Sequence, residues 1–175
     1  MMNVNLQLGP TIYSFAPIAD SKSKVLILGT MPGKESLRLN EYYAHGQNAF
    51  WKIIFALYDL PLSTDYKMKR EVLLNNGIAL WDVLQNCQRE SSLDSDIKQE
   101  EPNNLRMFLL SHPEISKIYF NGSGAAKFFK KYFSDIDLPK QVLPSTSPAH
   151  AVKWEEKLSV WHILKLNVDK KFTGV

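Results

Sequence analysis

Apolar positions along this chain fall into short blocks that alternate between two periods. Residues 25–28 are four consecutive large aliphatics that stop at Gly29. An unbroken run of this kind suits a strand covered on both faces, because a strand with one wet face alternates apolar with polar side chains. Residues 78–80, 118–120 and 141–143 read as three further short strands. Between them the spacing becomes helical. Phe50, Trp51, Ile53, Ile54, Phe55, Leu57 and Tyr58 recur as on a buried helix, with Asn48 available as its N-cap and Pro61 closing it. Residues 67–75 carry Met68, Val72 and Leu73 on one face and end before Gly77, a left-handed stop. Asn103 or Asn104 can cap a helix bearing Leu105, Phe108 and Leu109 that Pro113 terminates. Gly122 and Gly124 open another with Ala125, Phe128, Phe129 and Phe133, and a last amphipathic helix carries Leu158, Trp161 and Leu164. Alternation of short strands with helices predicts an α/β sandwich. Residues 1–24 read as an N-terminal arm laid on the core, and the polar residues 85–104 as a long functional surface loop.

Candidate chemistry gathers where the strands stop. In open α/β sheets ligands bind beyond the carboxyl ends of the strands, and here those ends are rich in glycine, proline and polar groups. GTMPG, residues 29–33, lacks both the Gly-Lys-Ser/Thr ending of a Walker A loop and the GxGxxG spacing, and a tight turn alone would account for it. It is followed by Glu41, Tyr42, Tyr43, His45, Gln47 and Asn48, an aromatic pair crowded among hydrogen-bonding groups, which is what a flat polar ligand such as a nucleobase requires. Asp82 follows the second strand, as a turn former or a reader of a donor edge. The strand–glycine–helix at Gly122 favours an anion. STSPAHA, residues 145–151, follows the fourth strand with two serines, a threonine, a proline and a histidine. His45 and His150 lie in these loops, whereas His112 and His162 read as ordinary helix residues. No HxH or HExxH pair suggests a metal, and no GxSxG elbow makes Ser145 or Ser147 a nucleophile.

Composition narrows this only slightly. The 175 residues, 45% of them hydrophobic, suffice for one domain spanning 1–175. Twenty-one basic against 18 acidic residues give a net charge of +3, which permits an anionic partner without demanding one. A single cysteine, Cys87, precludes an intrachain disulfide and a cysteine-ligated cluster. The first residues lack a signal-peptide pattern, and no apolar run reaches the roughly 20 residues of a membrane span, so a soluble cytoplasmic chain is expected.

Five ordered segments resemble the uracil-DNA glycosylase superfamily, and within it the hypoxanthine-DNA glycosylase (DNA-deoxyinosine glycosylase) branch: VLILGTMPG followed by SL, YYAHGQNAFW, ALWDVLQNCQR with SLDSDI, IYFNGSGA, and LPSTSPAHA. The resemblance covers nearly the whole chain. It implies a three-layer α/β/α sandwich with a central, mostly parallel four-stranded sheet, DNA lying across the strand ends, and a damaged base flipped into the pocket. The chain departs from its relatives twice. Met31 stands where mismatch-specific members carry a water-positioning Asn in GINPG, and Leu143 where uracil-specific members begin the second loop with a His. NAFW matches the relatives' NRFW element, so the resemblance assigns catalysis to Asn48. It implies base contacts from Gly29, Thr30, Met31, Tyr43, His45, Asp82 and Asn121, and DNA contacts from Ser145, Thr146, Ser147, Pro148 and His150. No metal or cofactor is implied. The expected partner is double- or single-stranded DNA carrying a deaminated base, met by a monomer with no membrane association. Two alternatives stay open on Met31, Leu143 and the modest charge: a binding module of the same fold without catalysis, and a hydrolase of free nucleotides or nucleosides.

Overall fold

The computed structural model describes residues 9–168, so residues 1–8 of the expected arm and 169–175 of the expected domain lie outside the described residues. In chain order the elements are strand β1 (Thr11–Tyr13), strand β2 (Val25–Gly29), helices α1 (Lys34–Leu39), α2 (Phe50–Leu57) and α3 (Tyr66–Asn75), strands β3 (Ile78–Asp82), β4 (Leu84–Gln88) and β5 (Lys98–Pro102), helix α4 (Leu105–Ser111), strand β6 (Lys117–Asn121), helix α5 (Ser123–Phe133), strand β7 (Lys140–Leu143), and helices α6 (Trp154–Trp161) and α7 (Ile163–Val168).

The expected central sheet is present, with four strands in the order β3-β2-β6-β7. Every pairing is parallel. The aliphatic run of β2 explains its central place, since successive side chains point to opposite faces and both faces are covered. Val25 and Ile27 pack into a core with Phe50, Ile53, Ile54 and Leu57 of α2, Leu73 of α3 and Trp161 of α6. Leu26 and Leu28 pack into a second core with Leu105 and Phe108 of α4 and Ala125, Phe129 and Phe133 of α5. These are the two helical layers of an α/β/α sandwich. Gly77, at φ 66°, ends α3 as expected, its N–H bonding the Leu74 carbonyl.

The stretch expected to be one long loop is corrected. Residues 84–88 and 98–102 form β4 and β5, which join β1 in a three-stranded antiparallel sheet of order β1-β4-β5. The arm is therefore paired to the body by β1, and also by a bridge between Ile18 and Leu80. The strands of this small sheet are polar and only partly buried and offer no apolar period, which is why pattern reading passes over them. The chain changes sheet between Asp82 and Leu84. Buried Asn103 stitches that crossover, its amide Nδ2 donating to the carbonyls of Asp82 and Leu84 at 2.9 Å each. Of the two asparagines considered as caps, Asn104 caps α4 through the Met107 N–H. No helix among the described residues is long and apolar enough to cross a membrane.

Candidate active site

Because β2, β3, β6 and β7 run parallel, their carboxyl ends share one side of the sheet, and there they surround a cavity of about 770 Å³. Every residue to which the resemblance assigns a role lines it: Asn48, the base-contact candidates from Gly29 to Asn121, and the loop residues Ser145, Thr146, Ser147, Pro148 and His150; Glu41 and Gln47 of the same aromatic stretch do not.

Gly29 and Asp82 are register partners at the ends of β2 and β3. A Cβ on Gly29 would stand 2.6 Å from Asp82 Oδ1 and 2.7 Å from Tyr43 Oη, so only glycine lets these groups converge. Asp82 is 3% exposed, and its Oδ2 is buried without a hydrogen-bond partner. Burial, reinforced by the charge of Asp94 and opposed by Arg89, pushes its carboxyl up to about 7. Tyr43 holds a left-handed backbone at φ 53°, a conformation unfavourable for a bulky residue and typical of a site where surroundings impose it. Its ring stacks on Phe50 with centroids 4.1 Å apart and planes at 25°, so only the opposite face is left as a platform for a ligand. The Tyr43 hydroxyl is buried beside the Asn121 side chain but makes no hydrogen bond of ordinary geometry with it. Burial, with Asp82 adding to it, raises its ionisation well above the ordinary phenol range.

The connection from β4 to β5 supplies groups that the sequence did not single out. Arg89 is buried, and its guanidinium donates to the Pro32 carbonyl, clamping the turn after β2. Its Nη1 lies 4.0 Å from Asp94 Oδ1. Asp94 in turn accepts from Thr30 Oγ1 at 2.8 Å and occupies the space a side chain on Gly124 would need. A carboxylate of the chain itself thus sits where the strand–glycine–helix was expected to favour an external anion. Asp94 belongs to SLDSDI, one of the segments carrying the family resemblance, and that was its only sequence signal. Lys34, Ser92 and Ser123 also line the cavity without having been singled out.

Asn48 is not the N-cap itself; Ala49 is. The Asn48 Oδ1 nonetheless accepts from the Phe50 N–H at 3.0 Å, which fixes its amide at the cavity edge. His45 is exposed, and its Nδ1 accepts from the Gln47 N–H, shaping the turn before Asn48. Asn121 is largely committed to the loop after β7: its Nδ2 donates to Thr146 Oγ1 and its Oδ1 accepts from the Thr146 N–H, each at 2.9 Å. One N–H and one lone pair remain for a ligand. Thr146 is a correction to the expected DNA contacts. Its side chain is fully buried, and a hydroxyl held by Asn121 anchors the loop without reaching a phosphate. Ser145 and Ser147 are half-buried and Pro148 and His150 exposed, so these four remain where a nucleic acid could meet them. Lys157 of α6, 3% exposed, supports this loop from below by donating to the Ser147 carbonyl at 3.2 Å. Among the described residues no group of three or more metal-ligating side chains comes together.

The cavity therefore combines one aromatic platform, two buried polar groups without partners, an oriented amide and a polar loop at its mouth. That arrangement can enclose a flat polar ring and leave a chain of phosphates outside. Comparison with known proteins agrees with this geometry. Residues 16–171 match the family model of the uracil DNA glycosylase superfamily. The chain is 31% identical to a hypoxanthine DNA glycosylase of Methanosarcina barkeri over 148 residues, 84% of this chain and 93% of that protein. It is 32% identical to one of Methanosarcina acetivorans over the same coverage. A solution NMR structure of a provisionally assigned uracil DNA glycosylase from Methanosarcina acetivorans superposes with a TM-score of 0.76 at 30% identity, covering 89% of this chain and 99% of that one. From strand order to sequence, the chain belongs to the uracil DNA glycosylase superfamily.

Proposed function

We propose that the chain is a monofunctional DNA glycosylase that hydrolyses the N-glycosidic bond of a deaminated base flipped out of DNA, hypoxanthine first and uracil second, and leaves an abasic site. The observation that carries this reading is the cavity at the four strand ends, walled by the same segments that carry the family resemblance. The names of the two Methanosarcina relatives favour hypoxanthine as the preferred base.

Hydrolysis of this bond passes through an oxocarbenium-like sugar while negative charge develops on the departing base. The chain acts as a monomer of one domain in the cytoplasm and needs no cofactor. Met31, 9% exposed and with no hydrogen-bonding group, shapes the pocket and leaves the water to Asn48. With one lone pair of its Oδ1 occupied by the Phe50 N–H, Asn48 is held in one orientation; its second lone pair and its NH₂ remain to position a water at the sugar. Tyr43 supplies the stacking face and Asp82 the polar edge. Ser145, Ser147, Pro148 and His150 meet the backbone of single- or double-stranded DNA. Lys34 reaches only the outer cavity, from an exposed position, and no amine is assigned to attack the sugar.

The test is base release from a panel of single-lesion duplexes without added metal. Deoxyinosine duplex should lose hypoxanthine, and the strand should stay intact until the abasic site is cleaved chemically. Asn48→Ala should slow release at least tenfold, about 1.4 kcal/mol of barrier, with the melting temperature tracked because the α2 contact is lost too. Tight binding without release would identify a binding module, and spontaneous strand cleavage would point to lyase chemistry from Lys34.

A further inference from the structure

The least expected group in the cavity is the side chain of Asp82. It is buried, its Oδ2 has no partner, and its Oδ1 sits over the one residue, Gly29, whose missing side chain makes room for it. A buried carboxylate normally collects N–H donors or a cation. Here the cation is diverted: Arg89 bonds the Pro32 carbonyl and faces Asp94. The groups that face Asp82 from the surrounding elements are Tyr42 and Tyr43 from the turn before α2, Asp94 from the connection between β4 and β5, and Arg89 after β4. Lys34, Glu35, His45 and His150 stand farther out, on the cavity wall. One aspartate, two phenols and an arginine whose Nη2 is given to the Pro32 carbonyl make, together with burial, an environment in which the neutral acid is the comfortable form.

Resting on the glycosylase reading, we infer that Asp82 works as a carboxylic acid and is the general acid of base release, giving its proton to the departing base. The carboxyl carbonyl can accept an N–H of the lactam edge of a deaminated base while the O–H points at the neighbouring carbonyl oxygen, a paired contact that a carboxylate cannot make. As the bond from C1′ to the base nitrogen breaks, its electron pair passes to the base and the Asp82 proton neutralises the developing charge. The water oxygen bonds C1′, and the proton it sheds returns through solvent to Asp82. Burial and the charge of Asp94 bring the acid to about 7, near the pH at which an intracellular acid catalyst is most effective. The assignment also accounts for Gly29, because any larger residue there would push the acid out of reach of the base.

The test is single-turnover release of hypoxanthine from a deoxyinosine duplex between pH 5.5 and 9. The wild-type rate should hold level at low pH and fall about tenfold per unit above pH ~7, as expected for a single essential acid. Asp82→Asn, which retains an N–H donor but has no transferable proton, should be at least tenfold slower at pH 6 and should lack that fall. Asp94→Asn, which removes the neighbouring negative charge, should move the fall to lower pH. A wild-type rate level to pH 9, or an Asp82→Asn variant that keeps the wild-type fall, overturns the assignment. Should Asp82→Asn not fold, an unmoved fall in Asp94→Asn overturns it instead. Release that shows no such pH dependence refutes the acid and leaves the glycosylase reading standing, whereas no release from any lesion duplex refutes both.

Discussion

The ionisation of Asp82 can be tested without DNA, because a displaced pKa is also a statement about stability. An aspartate in an unfolded chain titrates near 3.9, and in the folded protein Asp82 is pushed up to about 7. The folded-state value is the higher one, so between roughly pH 4 and 7 the folded protein keeps a proton that the unfolded chain has released. Stability must therefore fall as pH rises through this window. Integrated from pH 5 to pH 8, these two values give a loss of about 2.5 kcal/mol, which for a chain of this length is about 5–10 °C in melting temperature. Asp82→Asn removes the titration with little change in shape. The variant leaves amide groups unpaired in a buried site at a cost of about 1–3 kcal/mol, but that cost is the same at every pH. The difference in slope between the two proteins is consequently the clean quantity. Urea or thermal unfolding at pH 5, 6, 7 and 8 should show the wild type losing about 2.5 kcal/mol more than Asp82→Asn across the range. Parallel slopes would mean that Asp82 ionises in the folded protein as it does in the unfolded chain, and the account of its buried environment would be wrong.

Two further substitutions probe the frame around it. Gly29→Ala puts a methyl group 2.6 Å from Asp82 Oδ1 and 2.7 Å from Tyr43 Oη; base release should drop at least a hundredfold, with about 1–3 kcal/mol lost to overpacking, and near wild-type activity would refute the convergence of these groups on that position. Lys157→Met keeps the buried stem but removes the donor to the Ser147 carbonyl; the protein should stay folded while DNA dissociates several-fold faster in a competition assay, and an unchanged dissociation rate would detach Lys157 from the loop's role.

How much of this was legible beforehand follows from what burial does to a sequence. β2, β3 and β6 could be read because each is short and largely buried, so their side chains are mostly apolar whichever face they point to, whereas the edge strand β7, KQVL, buries only Leu143 and was legible from its place before Pro144. β4 and β5, LQNCQ and KQEEP, are half wet, with register irregularities between them. Their pairing with β1 is decided by tertiary hydrogen bonds that leave no period in the chain. The candidate site residues converge for a topological reason, since parallel strands must all end on one side, and locating the loops was enough to find the cavity. Their roles depend instead on partners that local sequence does not encode. Thr146 and Ser147 are adjacent polar residues in one loop, yet Asn121 pulls the first fully inside while the second stays half-exposed. Asp82 closes an apolar strand and Asp94 follows a polar stretch, yet it is Asp82 whose Oδ2 is left without a partner, while Asp94 is held by Thr30 and faced by Arg89. To Asn48 and Tyr43, to which the resemblance assigns catalysis and base contact, the proposal above adds Asp82, which sequence could name only as a turn former or an edge reader. The first motif contributes the gap at Gly29, and β3 contributes the acid that fills it.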